Sequence, residues 1–271
     1  LSAEEGNVDS NNKTSIDSAG SLEVGAAGKV DLSGAKVEYS EAGALRLVAG
    51  STDSDALKVF AHKNNTFKGA EVVLDSAGGL IFAAETSITV ETSSGQAVLK
   101  GQKIDLKSGS SVKAAGEATV RGYDSLVLGD NISVGSSSVS ITGGQQAFSL
   151  GNNVSLTATN GGIEVLADAD ATLGGSLNVN ASLKDPSAGD EAPIRIGAQG
   201  VLNVTEDKFE VIAENGSVDI FGGNRLNIKN DLTIVSVSDS SLTSERGLID
   251  IGNKATVKAG TQSGLSQENP L

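Results

Sequence analysis

The stretch Gly216-Ser-Val-Asp-Ile-Phe-Gly-Gly-Asn-Arg-Leu-Asn-Ile228 contains the unit on which the fold turns: an apolar-polar-apolar triplet, Val218-Asp219-Ile220, then a Gly-Gly corner, then a second triplet, Leu226-Asn227-Ile228. In extended backbone, residues two apart share a face, so each triplet sends its outer pair toward a core and its middle residue toward water. The unit recurs at Leu22-Glu23-Val24, Val37-Glu38-Tyr39, Leu45-Arg46-Leu47, Ile104-Asp105-Leu106, Val139-Ser140-Ile141, Ile163-Glu164-Val165 and Ile194-Arg195-Ile196. Such self-similarity marks a repeat architecture, in which no unit buries its apolar face without its neighbours.

The triplets start about seven or eight residues apart and group in threes, with rungs beginning near Leu22, Leu45, Leu80, Ile104, Leu126, Phe148, Ala171, Leu202, Leu226 and Ile249. Most rungs take 22 to 24 residues. The pattern predicts an all-β, single-chain, three-faced β-helix (a solenoid) of about ten rungs over residues 21–260. Insertion loops are expected at 51–69 and 183–193, a polar cap or linker at 1–20 and a tail at 261–271. The first predicted column comprises the rung starts other than Ala171. The second runs Val30, Leu57, Ile88, Val112, Ile132, Val154, Leu177, Phe209, Leu232, and the third Val37, Val72, Leu99, Val120, Val139, Ile163, Ile194, Val218. One slot, between Ile234 and Leu248, is poorly marked; Val235 to Val237 or Leu242 fills it. Gly143-Gly144, Asn152-Asn153, Gly161-Gly162 and Gly222-Gly223 read as corners with positive φ, and helix is confined to a short cap near Leu1 to Glu5. A trimeric intertwined β-helix, each chain giving one face, shares the strand spacing. The three-unit rhythm within one chain favours the solenoid.

Composition fits a regular, aliphatic core: 34 Gly, 3 Pro, no Cys, Met or Trp, and 3% aromatics. A net charge of −14 argues against a nucleic-acid partner, because a phosphate backbone needs a basic surface. No stretch approaches the roughly 18 to 20 apolar residues of a membrane span. The absence of Met, initiator included, reads as removal of a leader or a longer N-terminal region.

Candidate chemistry is sparse. His62 is the single histidine, so neither a zinc site nor a Ser-His-Asp triad is expected around it. Carboxylates pair as Asp53 and Asp55, Asp168 and Asp170, Asp190 and Glu191, and Glu206 and Asp207; clustered acids on one solenoid face would suit a polysaccharide-degrading enzyme, but these pairs fall on distant rungs. No catalytic residue, metal or cofactor is expected. Seven Asn-x-Ser/Thr sequons, at Asn12, Asn64, Asn131, Asn153, Asn180, Asn203 and Asn215, are candidate N-glycosylation sites of a eukaryotic extracellular rod.

The run Asn160-Gly-Gly-Ile-Glu-Val-Leu-Ala-Asp-Ala-Asp-Ala-Thr-Leu-Gly-Gly-Ser-Leu-Asn-Val, like the opening stretch, resembles the repeats of filamentous-haemagglutinin-type adhesins. The resemblance spans about Gly20 to Gly260 and implies a secreted or cell-surface rod with adhesive or scaffold duty. A weaker resemblance, over Ile88 to Gly122, is to sarcoglycan ectodomains and trimeric spike β-helices; the terminal cysteine cluster of sarcoglycans is missing. The expected function is a structural extracellular subunit of a filament, sheath or hair, self-associating end to end or with related rods. The alternative is an adhesin or spike segment binding a receptor or glycan.

Overall fold

The computed structural model describes residues 1–10, 14–61, 65–82, 86–183, 192–205, 208–229, 231–252 and 254–260. These residues contain 31 strands and no α-helix, and every strand pair is parallel to a partner from the next turn of the same chain. The fold is a β-solenoid of about ten turns, and the registers rule out three braided chains, since Ile163 pairs with Val139 below and Ile194 above within one polypeptide.

Three faces, I to III, form each turn, and the strands fall into eleven tiers. Face I supplies Ser2–Ala3, Leu22–Ala26, Leu45–Ala49 and Val72–Ser76 to tiers 1 to 4. Ala97–Leu106 and Glu117–Leu128 then run across faces I and II of tiers 5 and 6. Ser138–Gly143, Ile163–Ala167, Ile194–Ala198, Val218–Gly222 and Ser240–Ser244 continue face I to tier 11. With parallel strands about 4.7–4.9 Å apart, the stack is about 50 Å long.

Registered pairs define the inward rows. On face I, Leu22, Leu45, Val72, Ala97, Ala118, Val139, Ile163, Ile194 and Val218 lie in one row. Two residues on, Val24, Leu47, Leu74, Leu99, Val120, Ile141, Val165, Ile196, Ile220 and Leu242 form the next; Leu242 therefore fills the poorly marked slot. Nearly all of these side chains are buried, and removing each large aliphatic group from water contributes about 1.5–3 kcal/mol before chain entropy is counted. The third inward row contains only small residues, among them Gly101, Gly122, Gly143, Ala167, Ala198 and Gly222, because there the chain turns into face II and the core narrows.

Several expectations need correction. Leu22 and Leu45 belong to face I, not with Leu80; Val30 and Leu57 belong to face II, and Val37 to face III beside Ile16. Val112, Leu99 and Val120 point inward as expected but stand one inward position beyond their assigned neighbours. Residues 51–69 are not one loop: Leu57–Val59 and Thr66–Gly69 are strands, since their apolar residues complete faces II and III of tier 3. The 1–20 segment is no separate cap, because Ser2–Ala3, Val8–Asp9 and Ser15–Ser18 pair with tier 2, and the backbone near Leu1 is strand rather than helix. Of the second insertion, 184–191 lie outside the described residues, as do 261–271.

Corners use two devices. Gly143 (φ 119°) and Gly144 (φ 80°) adopt left-handed backbone, as do Asn131 and Asn153. Gly222 and Gly223 do not; they are required by crowding, since a Cβ at Gly223 would lie 1.9 Å from the Gln199 carbonyl oxygen of the tier below. The ladders break twice, on face II between Leu80–Phe82 and Ala97–Leu106, and on face III between Lys36–Tyr39 and Thr66–Gly69. At these breaks Tyr39, Phe60, Phe67 and Phe82 form a chain of ring contacts with centroids 6.5, 5.7 and 5.9 Å apart, so large rings fill the core where successive tiers are not hydrogen-bonded.

Ile132 is 1% exposed, whereas the adjacent Ser133 faces solvent. Ile132→Asp is expected to cost about 3–5 kcal/mol in urea unfolding, by burying an unpaired charge, and Ser133→Asp to be nearly silent. Equal tolerance at the two positions would overturn the inward and outward assignment.

Candidate functional surfaces

At the corners, where the ladder bends, side-chain oxygens accept hydrogen bonds from backbone N–H groups of the next tier. Ser108 Oγ accepts from Asp130 N (3.0 Å), Asp130 Oδ1 from Asn152 N (2.7 Å), and Asn152 Oδ1 from Gly175 N (2.8 Å). Much of the Ser, Asn and Asp content thus satisfies backbone groups that the ladder leaves free. On the strands, outward polar residues stack likewise: Asn227 Nδ2 donates to Asn203 Oδ1 (2.7 Å).

These roles decide how the sequons are presented. Asn131 and Asn153 stand exposed at positive-φ turns in consecutive tiers, with Asn153 Nδ2 donating to Asn131 Oδ1 (3.2 Å). Asn180 and Asn203 are half-buried on strands, and Asn215 uses its Oδ1 to accept from Leu183 N (3.1 Å). Asn12 and Asn64 lie outside the described residues, as do His62, Asp190, Glu191, Glu206 and Asp207.

Asp53 and Asp55 belong to an ionic network in tiers 2 and 3. Lys29 Nζ lies 3.0 Å from Asp53 and 2.6 Å from Asp55, and Lys58 Nζ lies 3.2 Å from Asp31 and 3.4 Å from Asp55. Lys29 holds the Asp55 carboxyl below its ordinary value. Burial pushes Asp31 up, but the Ser33 hydroxyl and N–H and the Lys58 ammonium outweigh it, and Asp31 also sits below its ordinary value. The network ties the 51–56 segment to the tier beneath. Asp168 and Asp170 stand exposed five tiers away, at the corner where face I of tier 8 turns into face II. Among the described residues no group of three or more His, Cys, Asp or Glu is placed to hold a metal ion, and no helix is long and apolar enough to cross a membrane.

Two further features mark the surface. The break in face II leaves a groove of about 470 Å³ lined by Leu80, Ile81, Phe82, Ile88 and Leu106, with the Lys107–Asp105 ion pair at its rim. The second feature is a charge division along the axis. Lys100, Lys103, Lys107, Lys113 and Arg121 crowd into 22 residues, and no Lys or Arg follows until Lys184, while Asp124, Asp130, Glu164, Asp168 and Asp170 fall in that interval. Arg121 lies over the Tyr123 ring at 4.9 Å.

The depressed Asp31 and Asp55 stabilise the fold fully above the unfolded carboxylate value of about 3.9, and this stability is lost as pH falls through their lower folded values. The double variant Lys29→Ala, Lys58→Ala is therefore expected to show a shallower fall of unfolding free energy below about pH 4, read by circular dichroism. An unchanged slope would remove the network from the acid response. At the alkaline end, burial pushes the Tyr39 phenol up to about 12, so neutral Tyr39 favours the fold below about pH 10 and that contribution drains away toward its folded value. Tyr39→Phe is expected to flatten this arm in the same titration; an unaltered alkaline arm would assign it to other groups.

No protein-family model, curated protein or solved structure matches the chain, so the likeness to filamentous-haemagglutinin-type repeats rests on the β-solenoid architecture alone.

Proposed function

We propose that this chain is a rod-like structural protein of the extracellular space or cell surface, whose tiers are continued end to end by a second copy or a related rod to make a filament, sheath or hair. The supporting observation is the outermost described tier. Its strands Ser240–Ser244, Ile249–Ile251 and Ala255–Ala259 each pair on one side only among the described residues, with Leu248 70% and Ile249 43% exposed. An open parallel ladder backed by aliphatic side chains is a template for another tier of the same geometry. The polar side chains add support, because so many are spent on neighbouring tiers.

A second reading, a rod that displays a surface to a receptor or glycan, is favoured by the groove beside Phe82, which combines an apolar floor with an ionic rim.

Negative-stain imaging of concentrated protein is expected to show strings of rods. Leu248→Lys, at a position 70% exposed, should shorten or abolish them without lowering thermal stability. Isolated rods of about 50 Å at every concentration would contradict the end-to-end reading.

A further inference from the structure

We propose that the edge where face I turns into face II is a self-complementary docking surface, through which two copies of this chain pair side by side and antiparallel about a two-fold axis at tier 7. This goes beyond end-to-end growth and does not depend on it.

Gly101, Gly122, Gly143, Ala167 and Ala198 are successive partners at this corner in tiers 5 to 9. The residues flanking them therefore line one edge of the rod in tier order. Tier 5 presents Lys103, with Lys100 half-buried beside it; tier 6 presents Arg121; tier 7 presents Gln145 and Gln146; tier 8 presents Asp168 and Asp170. Lys103, Arg121, both glutamines and both aspartates are exposed. Neither Lys103 nor Arg121 has an ion-pair partner among the described residues, and Arg121 is steadied by Tyr123. Asp170 uses Oδ1 to accept from Val201 N (2.7 Å), which fixes its carboxylate between tiers 8 and 9.

The basic and acidic groups thus lie on either side of tier 7, each about 5–10 Å from it along the axis. A two-fold axis through tier 7, perpendicular to the rod, places tier 6 against tier 8 of the second copy and tier 5 against its tier 9. Arg121 of each copy then faces Asp168 and Asp170 of the other, and Lys103, level with tier 9, is one tier from the Asp170 carboxylate that bridges tiers 8 and 9, twice over, as an isologous interface demands. Gln145 and Gln146, both exposed, lie at the axis and can exchange hydrogen bonds across it. Asp124, half-buried in tier 6, is a like charge near the contact. A second copy is the occupant that fits because it supplies both halves of the complement, whereas a polyanion would meet Asp168 and Asp170 within two tiers of the cations.

Exposed pairs of this kind are individually weak and strongly screened, so the dimer is expected to depend on salt. Sedimentation velocity of the full chain should show a dimer at about 0.01 M salt and a monomer at about 1 M. Lys103→Asp with Arg121→Asp, and separately Asp168→Lys with Asp170→Lys, should each abolish the low-salt dimer, and mixing the two variants should restore it as a heterodimer. A monomer at low salt, or a dimer indifferent to both charge swaps, would overturn the proposal. Circular dichroism of each variant distinguishes lost pairing from lost fold, and end-to-end strings surviving in the swapped variants would leave the filament reading intact.

Discussion

The structure depends on one constraint: every tier must lie in parallel register on the tier below. Backbone hydrogen bonds between tiers hold the strands at a fixed separation, and this stacks equivalent side chains into continuous inward rows. Leu45 covers Leu22, Ile194 covers Ile163, and Leu232 covers Phe209. Neither part stands alone, because a ladder without the rows would be open to water and a row without the ladder would have no fixed spacing. Where the ladder is interrupted, the chain uses its largest side chains, and half of its eight aromatics gather beside the two breaks.

The same constraint shapes the surface. Since each tier is one contiguous stretch of about 21 to 31 residues, a drift of charge along the sequence becomes a pattern along the rod axis. The cluster of cations from Lys100 to Arg121 becomes a basic band, and the interval to Lys184 becomes an acidic one. Polar side chains at corners serve the backbone of the next tier, and this orders the surface. Stacking, lateral pairing and display are all properties that a rod of this kind can express through its ends, its edges and the groove beside Phe82.

How far the fold was legible follows from the chemistry of individual rows. Ile104, Leu126, Phe148, Leu202, Leu226 and Ile249 match the expected grouping, as do Ile132, Val154, Leu177, Phe209 and Leu232, because every inward position there except Ala171 holds a large apolar residue. The grouping slipped where a small or polar residue occupies an inward position. Ser110 stands inward between Ile88 and Ile132, its hydroxyl donating to the Lys107 carbonyl and accepting from Ile88 N, so the apolar pattern points to Val112 instead. Ala97 and Ala118 are hidden by the larger Leu99 and Val120 in the same way. The face assignments of tiers 1 to 3 failed for another reason: the interrupted ladders and the polar 51–56 segment hide the three-unit rhythm. The docking edge was not legible at all, because Lys103, Arg121, Asp168 and Asp170 come together only once the register of Gly101, Gly122, Gly143 and Ala167 is known.

The most direct test of the central claim is a distance measurement within one chain. Ser111 and Ser155 are separated by 44 residues yet belong to one outward row of face III, with Ser133 between them. Spin labels at Ser111 and Ser155, diluted with unlabelled protein, should report backbones about 10 Å apart, independent of dilution. A long distance, or a short one that vanishes on dilution, would show that the tiers do not stack within a single molecule.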